Sequence, residues 1–308
     1  EEFRRGIERL AATLGYEIAE DGISVTAEKG EKIGVSYQNG AAVIYYRERV
    51  QLYRGIGLLL ENLKKSASFE IVENDFFVNV STMIDASRAA VPSVESAERL
   101  LDRLALMGYS SILLYTEDVI ELEDRPYFGY MRGRYTKAEL RALDAYALSL
   151  GIELIPAIQC LGHMERFLCG ESGAKYRDQG AVLLVGEDAT YDLIERMLAS
   201  VCECFTTKRL IIGFDEAGGL GMGAYFKKHG YREAIDIYCE HLGRVVEMTR
   251  RRGLDPIIFS DMFFSTADPQ GGYYNPNVTF SDLIKGRVPK EVTLCYWDYN
   301  NGSYEMYD

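Results

Sequence analysis

The hydrophobic pattern changes character near residue 75 of this 308-residue chain. Before that point, helical and alternating segments follow one another without a repeat. After it, apolar runs of four to six residues alternate with segments of helical periodicity. Such regular β–α repetition predicts a parallel sheet covered by helices, and over this length it favours a (β/α)8 TIM-type barrel, an α/β fold. We therefore predict a small α/β N-terminal domain over residues 1–74 and a barrel over residues 75–308.

The N-terminal segment shows patterns of packing and none of chemistry. Asn39-Gly40 lies between two β-like segments and predicts a hairpin, because Asn-Gly supplies the positive φ angles of a tight turn. The predicted elements are helices over 3–14 and 50–63 and strands over 23–27, 33–37, 42–46 and 69–72.

The barrel region predicts six strands. A closed barrel of eight strands needs two more βα units, at about 30 residues each. We therefore expect a truncated barrel that lacks its last two units and has unpaired outer strands. The predicted strands are 76–80, 111–115, 153–158, 210–214, 256–259 and 292–297, and the helices are 94–107, 136–150, 191–204 and 234–251.

Polar side chains follow each predicted strand. In a (β/α) barrel the carboxyl ends of the strands form one rim, where catalytic side chains lie. Six polar strand ends in succession are typical of an active-site rim. In strand order they are Asp85 and Arg88; Glu117 and Asp118; Gln159 and His163; Asp215 and Glu216; Asp261; Trp297, Asp298 and Tyr299.

Asp215 and Glu216 form the most informative of these strand ends. A buried apolar run leads into them and a glycine-rich segment follows. Our hypothesis is that they are the catalytic pair of a glycosidase. The alternative is a chance pair, because the chain has 47 acidic residues and also contains Glu187-Asp188 and Glu123-Asp124.

The composition and net charge limit the classes of ligand that the protein could bind. The net charge of −13 argues against binding to nucleic acid or to an anionic membrane, which requires basic patches. The 22 tyrosines and single tryptophan include many rings near strand ends, where sugar sites use aromatic platforms. Three scattered histidines without an HxH or HExxH motif leave few metal ligands, so we expect neither metal nor cofactor.

Cysteine usage and the N-terminal residues bear on location. The six cysteines form no CxxC pair, and in a chain of this length they predict free thiols of a reducing compartment. The first residues are not apolar, and no apolar run approaches the length of a membrane span. We therefore expect a cytoplasmic protein. The sequence leaves the oligomeric state open.

The series of strand ends resembles glycoside hydrolase family 20, the β-N-acetylhexosaminidases. Asp85-Ala-Ser-Arg88 matches an Asp-x-Ser-Arg segment after strand one, and Glu117-Asp118 matches acidic residues after strand two. Pro156 to His163 is similar to a Pro-Glu-Ile-Asp-x-x-Gly-His-like segment, and Gly213-Phe-Asp-Glu216 to Gly-Gly-Asp-Glu. Residues 115–135 are similar to a smaller, single-chain bacterial subgroup of the family.

The resemblance implies an exo-acting hydrolase of terminal β-linked GlcNAc or GalNAc. Its mechanism would be substrate-assisted and retaining, with the substrate's acetamido carbonyl as nucleophile and an oxazolinium intermediate. Glu216 would be the general acid and then the base. Asp215 would orient the acetamido N–H and stabilise positive charge. Because neighbouring strand residues face opposite ways, both can act at one centre only where the strand ends.

The same resemblance implies roles for other rim residues. His163 would bridge Glu216 and an acidic residue, Glu117 or Asp118, although a structural histidine is an equal alternative from the residues alone. Arg88 would bind the sugar O3 and O4 hydroxyls, or would simply pair with Asp85.

The remaining strand ends have open alternatives. Trp297 would form a wall of the sugar pocket, or would belong to the core. Asp261 would bind a sugar hydroxyl or support the rim, and Tyr299 is a further candidate for substrate contact.

The chain departs from the family pattern in several places. Phe214 replaces a glycine, Ala157 and Gln159 replace acidic residues, and Phe259 lies where many members have Trp. The family's residues on strands seven and eight have no counterpart among the six predicted strands. Two other readings therefore stay open: a non-catalytic carbohydrate-binding remnant of the fold, and an unrelated barrel glycosidase with two carboxylates about 5–5.5 Å apart.

Overall fold

A computed structural model describes the protein over residues 4–74, 77–88, 90–273, 275 and 278–299. The chain divides into two compact units by the contacts among its Cα atoms. The first unit comprises residues 1–84, 92–114 and 138–154, and the second comprises residues 85–91, 115–137 and 155–308.

The N-terminal part of the first unit contains a four-stranded sheet and two helices. Its elements are α1 (Arg4–Thr13), β1 (Ser24–Lys29), β2 (Ile33–Gln38), β3 (Ala41–Tyr46), α2 (Arg49–Asn62) and β4 (Phe69–Glu73). The strand order is β1-β3-β2-β4, with β1 parallel to β3 and β2 antiparallel to both neighbours. The predicted hairpin is confirmed: Asn39 and Gly40 have φ angles of 53° and 79°. The domain boundaries, 1–74 and 75–308, remain our proposal.

A second sheet is made of six strands. The elements that contain or connect these strands are β5 (Ser81–Asp85), α3 (Val94–Met107), β6 (Ser111–Tyr115), α4 (Lys137–Ser149), β7 (Glu153–Ala157), α5 (Glu165–Leu168), a 3-10 helix (Glu171–Tyr176), β8 (Arg177–Gln179), β9 (Val182–Leu183), α6 (Asp188–Cys204), β10 (Arg209–Ile211), α7 (Ala224–His229), α8 (Ala234–Arg251), β11 (Asp255–Phe259), α9 (Asp261–Ala267), α10 (Asp282–Lys285) and β12 (Thr293–Cys295). The strand order is β12-β11-β10-β7-β6-β5, and β7, β10, β11 and β12 pair in parallel. Strands consecutive within this sheet are therefore neighbours, as in a (β/α) barrel.

Local sequence explains where these elements begin and end. Ser93 caps α3 by accepting a hydrogen bond from the backbone N–H of Ser96, and Gly108 ends the helix in the left-handed conformation with φ 84°. The apolar strands β6 and β7 are mostly buried, as in a parallel sheet with both faces covered.

The predicted first barrel strand is wrong in position. We predicted residues 76–80, whereas β5 begins at Ser81. Phe76 lies outside the described residues, and Phe77 and Val78 are exposed. The strand's position is set by its neighbour: the backbone N–H of Ser110 donates to Val80, so the ladder begins there. An apolar run alone does not reveal such pairing.

The helices and strands of sufficient length agree closely with the sequence pattern. The bounds predicted for α3, β6 and α8 are those observed. Residues 159–190 and 217–233 had no predicted elements, and there the structure contains the β8–β9 hairpin and the short helices α5 and α7. Helices of four to six residues and strands of two or three residues are too short to show a period. None of the helices in the described ranges is both long enough and apolar enough to cross a membrane.

His241 on α8 ties this helix to two other parts of the second unit. Its side chain is fully buried, and Nε2 lies 2.8 Å from the carbonyl oxygen of Cys160, just beyond β7. A carbonyl only accepts, so Nε2 carries the proton, and Nδ1 accepts from the Tyr191 hydroxyl of α6 at 3.2 Å. Burial lowers the pKa of His241 to about 4.

The neutrality of His241 predicts acid sensitivity. In the unfolded chain this histidine takes up a proton near its ordinary pKa of about 6.5, but in the folded chain only near 4. Its contribution to stability is therefore complete above pH 6.5 and decreases by about 1.4 kcal/mol per pH unit as the pH falls towards 4. The variant His241→Gln keeps an N–H donor for Cys160 and does not titrate. Urea unfolding at about pH 7 and about pH 5 should show a smaller loss in this variant than in the wild type. Equal losses in the two proteins would contradict this account.

Candidate active site

Asp215 and Glu216 lie where strand geometry has ended. The strand β10 stops at Ile211, and positive φ angles follow at Gly213 (76°), Phe214 (76°) and Glu216 (48°). On a regular strand, the two carboxylates would face opposite ways. Here both approach one nitrogen: His163 Nε2 is 3.1 Å from Asp215 Oδ2 and 3.3 Å from Glu216 Oε2.

This turn is held by packing and by hydrogen bonds. Left-handed backbone at a residue other than glycine costs about 1–3 kcal/mol and persists only where its surroundings impose it. Phe214 is fully buried, with its ring 5.5 Å edge-on from Tyr238 and 5.2 Å from His241. The backbone N–H of Glu216 donates to Asp261 Oδ2 at 2.9 Å. Phe214, which stands where the family pattern has a glycine, is thus a packed core residue.

The loop after β7 approaches this turn closely. A Cβ atom on Gly162 would lie 2.3 Å from the carbonyl oxygen of Asp215, so only glycine fits there. The next residue, His163, has a φ of 52°. The close approach therefore places the imidazole against the two carboxylates.

His163 has a raised pKa. The hydrogen bond to Asp215 is the largest cause, burial and the charge of Arg88 oppose it, and Glu216 adds to it. The predicted contact with Glu216 is present. The second partner is Asp215, where Glu117 or Asp118 was expected.

Glu117 and Asp118 are occupied by other groups, which explains the difference. The Tyr115 hydroxyl donates to Glu117 at 3.2 Å, and Arg132 lies 2.9 Å from Asp118. Both carboxylates are almost completely buried. Burial raises the pKa of each, against the attraction of Arg88 for Glu117 and of Arg132 for Asp118.

Arg88 lies beside Glu117 at the end of β5. Its Nη1 is 2.7 Å from Asp85 Oδ2 and its Nη2 is 3.5 Å from Glu117 Oε1, while Nη2 also donates to the Tyr115 hydroxyl at 3.3 Å. The predicted pairing with Asp85 is thus observed. About half of the Arg88 side chain, 52%, remains exposed, so the guanidinium is accessible to a ligand.

Two residues of this network were not among the predicted site residues. The fully buried Gln159 donates through Nε2 to the Tyr115 hydroxyl and to Asp215 Oδ1, both at 2.9 Å. Tyr115 is the last residue of β6, and Gln159 follows β7 by two residues. These positions at strand ends were the feature of the sequence that could have marked both residues as part of the site. They link Arg88 and Asp215 through neutral groups.

Asp261 and a group of aromatic rings lie near the two carboxylates. Burial is the main reason that the pKa of Asp261 is raised to about 6, and the nearby Trp297 indole opposes the rise. Trp297 lies 5.8 Å from the ring of Tyr273 and 5.4 Å from that of Tyr299, which is largely exposed. Burial and the charges of Asp261, Glu216 and Asp215 raise the pKa of Tyr273. Tyr273 follows no predicted strand, so the pattern of polar strand ends did not mark it.

The glycine-rich segment after Glu216 is held from the β8–β9 hairpin. Asp178 accepts hydrogen bonds from the backbone N–H of Gly221 at 2.7 Å and of Tyr225 at 2.8 Å. Gln179 donates to the carbonyl oxygen of Gly219 at 2.6 Å. A segment that composition alone marks as flexible is therefore fixed beside the candidate site.

Across the described part of the chain, no group of three or more His, Cys, Asp or Glu side chains is arranged to hold a metal ion. Each of the six cysteines, all among the described residues, is a free thiol.

Comparisons with known proteins agree on the fold. No family model matches the chain. Human hexosaminidase D is 24% identical over 221 aligned residues, and the alignment covers 69% of this chain and 43% of that protein. A Streptomyces plicatus β-hexosaminidase variant solved with its GlcNAc product has a TM-score of 0.71 and 19% identity, over 99% of this chain and 64% of its own. The Vibrio harveyi family 20 exo-β-N-acetylglucosaminidase, solved with N-acetylglucosamine, has a TM-score of 0.72 and 15% identity, over 97% and 53%.

The six-stranded sheet of the described residues corresponds to part of a (β/α)8 TIM-type barrel, the fold of these solved glycoside hydrolases, which confirms the predicted fold class of a truncated barrel. Within that class, the chain has the fold of the family 20 β-hexosaminidases, and the resemblance of its motifs to that family is confirmed. The chain spans less than half of human hexosaminidase D and about two thirds or less of the two solved structures. The narrower likeness to a bacterial subgroup remains a prediction.

The charge environment of His163 can be tested by NMR. The chain has only three histidines, so their imidazole signals can be assigned by single substitutions. We expect the pKa of His163 to lie above 6.5 in the wild type and to decrease in Asp215→Asn, because the first-ranked cause of its rise is removed. His241 serves as the internal control, since its titration near pH 4 should not change. A His163 titration unaffected by Asp215→Asn would contradict the contact.

Proposed function

We propose that this protein is an exo-acting β-N-acetylhexosaminidase that hydrolyses terminal β-linked GlcNAc, GalNAc or both. One observation carries the proposal: two adjacent carboxylates meet one imidazole nitrogen but differ in exposure. The Glu216 side chain is 45% exposed, whereas that of Asp215 is 12% exposed. One carboxylate is thus accessible to a substrate, and the other is fixed by its neighbours.

These two environments fit substrate-assisted catalysis. Glu216, as a carboxylic acid, would protonate the leaving oxygen while the 2-acetamido carbonyl attacks C1 and forms an oxazolinium ion. Asp215, held by Gln159 and His163, would accept the acetamido N–H and stabilise the positive charge. Glu216, now a carboxylate, would then take a proton from the water that opens the oxazolinium ring. Through Nε2, His163 would contact both carboxylates and influence the protonation of Glu216.

The remaining candidate residues would bind the sugar. The half-exposed guanidinium of Arg88 suits the O3 and O4 hydroxyls, with Asp85 and Glu117 as its charge partners. Asp118 would support this part of the site through its ion pair with Arg132. Trp297 and Tyr299 would form an aromatic wall. For Asp261, the contact with the Glu216 backbone supports a role in holding the rim.

The names of the relatives support the same class of substrate. Human hexosaminidase D and the two bacterial enzymes are named for hexosaminide hydrolysis, and both bacterial structures contain GlcNAc. We retain as predictions a carbohydrate substrate, no nucleic-acid or membrane partner, and a cytoplasmic location.

The proposal is tested on aryl β-GlcNAc and aryl β-GalNAc. Wild-type protein should hydrolyse at least one of them and should be inhibited by a thiazoline that mimics the oxazolinium ion. Asp215→Asn should lower kcat by about 100-fold or more, because a fixed electrostatic group is lost. Glu216→Gln should lower the rate on a natural glycan, whose poor leaving group needs the acid, by more than on the aryl substrate.

Three outcomes decide among the alternatives. No hydrolysis of either substrate, with the sugar still bound, would favour a non-catalytic carbohydrate-binding protein. Activity that thiazoline does not inhibit would favour a two-carboxylate glycosidase. Undiminished activity of Glu216→Gln on a natural glycan would remove Glu216 from the mechanism.

A further inference from the structure

The side chain of Gln159 is fully buried between the ends of two strands and the carboxylate turn. Its Nε2 atom donates to the Tyr115 hydroxyl at the end of β6 and to Asp215 Oδ1, both at 2.9 Å. Both N–H groups of the amide are therefore used. The Oε1 atom is also buried, but it has no hydrogen-bond partner among the described residues.

The unpaired oxygen bears on the role of this side chain. A buried carbonyl without a partner lowers stability, and a methionine or leucine would fill a similar volume without that cost. The reverse orientation of the amide would place Oε1 against Asp215 Oδ1, where two acceptors would meet. Gln159 is therefore better explained by its two donated hydrogen bonds than by the space that it fills.

The backbone of the carboxylate turn accommodates this amide. Gly213 lies two residues before Asp215 and has a φ of 76°. A Cβ atom at position 213 would overlap the Oε1 atom of Gln159. Any other residue there would displace the amide and, with it, the donor to Asp215. Gly213 and Gln159 therefore depend on each other.

The Tyr115 hydroxyl anchors the other side of the amide. Arg88 Nη2 and Gln159 Nε2 can only donate, so the hydroxyl accepts from both. Its own proton is then donated to Glu117 at 3.2 Å. The amide that holds Asp215 is thus connected through one hydroxyl to a charged pair, since Arg88 and Glu117 are 3.5 Å apart.

Asp215 is held on both of its carboxylate oxygens. Gln159 donates to Oδ1, and His163 Nε2 lies 3.1 Å from Oδ2. Donors on both oxygens fix the rotation of the carboxylate, whereas a single contact with His163 would leave it free to turn. Because each carboxylate oxygen accepts up to two hydrogen bonds, the group can still accept one from a ligand.

We propose that Gln159 is a positioning residue for Asp215: its neutral amide fixes the carboxylate at the angle from which it accepts the acetamido N–H of the substrate. The inference rests on the proposed function and adds to it a residue that contacts no reacting atom. The family pattern has an acidic residue at this position. An ionised acid could not donate to Asp215, whereas the amide donates at every pH.

The first variant removes the donor and keeps the volume. Gln159→Met should lower kcat on the aryl substrate that the wild type hydrolyses by about tenfold or more, because Asp215 is no longer held in place. KM should change by less than about twofold, because the contact acts in the transition state. Thr190→Val is the matched control: Thr190 is fully buried and donates to the carbonyl oxygen of Leu184 at 2.7 Å, but it does not contact the carboxylates. Its kcat should stay within about twofold of the wild-type value.

The second variant, Gln159→Glu, restores the donor only while its new carboxyl group is protonated. The titratable and charged groups around position 159 are Asp215, His163, Tyr115, Glu117 and Arg88, with Glu216 and Asp261 beyond Asp215. A carboxylate at hydrogen-bond distance raises the pKa of the new carboxyl group. The ratio of the variant's kcat to the wild-type kcat should therefore be highest at acid pH and fall as the pH rises and the proton is lost. Equal losses in the methionine and glutamate variants at every pH, or no loss in the methionine variant, overturn the inference and leave the proposed function intact.

A wild type that hydrolyses no substrate would overturn the proposed function, and NMR titration of His163 would then decide the role of Gln159. The hydrogen bond to Asp215 is the main reason that the pKa of His163 is raised. A carboxylate free to turn would weaken this bond, so Gln159→Met should lower the pKa of His163 and Thr190→Val should not. An unchanged His163 titration in Gln159→Met overturns the inference.

Discussion

The contact of one imidazole nitrogen with two adjacent carboxylates is the constraint on which the site depends. Consecutive side chains of a strand cannot both face one centre, so the chain must leave β-geometry between β10 and Glu216. It does so through the left-handed residues Gly213, Phe214 and Glu216. The last two are held by different parts of the barrel: α8 packs on Phe214, and Asp261 at the start of α9 accepts a hydrogen bond from the Glu216 backbone. The core of the barrel therefore determines the geometry of the carboxylates.

Sequence reasoning recovers the parts of this molecule that depend on local pattern. Long amphipathic helices such as α3 and α8 show the helical period over several turns, and β6 is a continuous apolar run. The polar ends of successive parallel strands must share one edge of the sheet, so Asp215, Glu216 and His163 could be grouped before any coordinates. This grouping follows from the order of the parallel strands and needs no knowledge of side-chain contacts.

What sequence reasoning missed depends on contacts between distant segments. The position of β5 is set by the backbone of Ser110, 30 residues beyond Val80, and an exposed Phe-Val pair misdirected the prediction. Gln159 appeared as a polar strand end and as a departure from an acidic pattern, but neither feature revealed that it joins Tyr115 to Asp215. Phe214 stands where the family pattern has a glycine, and packing against Tyr238 and His241 compensates for its unfavourable φ. Asp178 and Tyr273 carry no signal at all, because only the fold brings them near the site.

The central claim is that the substrate's acetamido group, oriented by Asp215, is the nucleophile. Its most direct test is a series of aryl N-acyl-β-glucosaminides in which the acetyl methyl group carries zero, one, two or three fluorine atoms. Fluorine withdraws electrons from the carbonyl oxygen and weakens it as a nucleophile. We expect kcat/KM to fall steeply and regularly along the series. A rate that does not change with fluorine content would show that the acetamido oxygen is not the nucleophile, and would contradict the proposed mechanism.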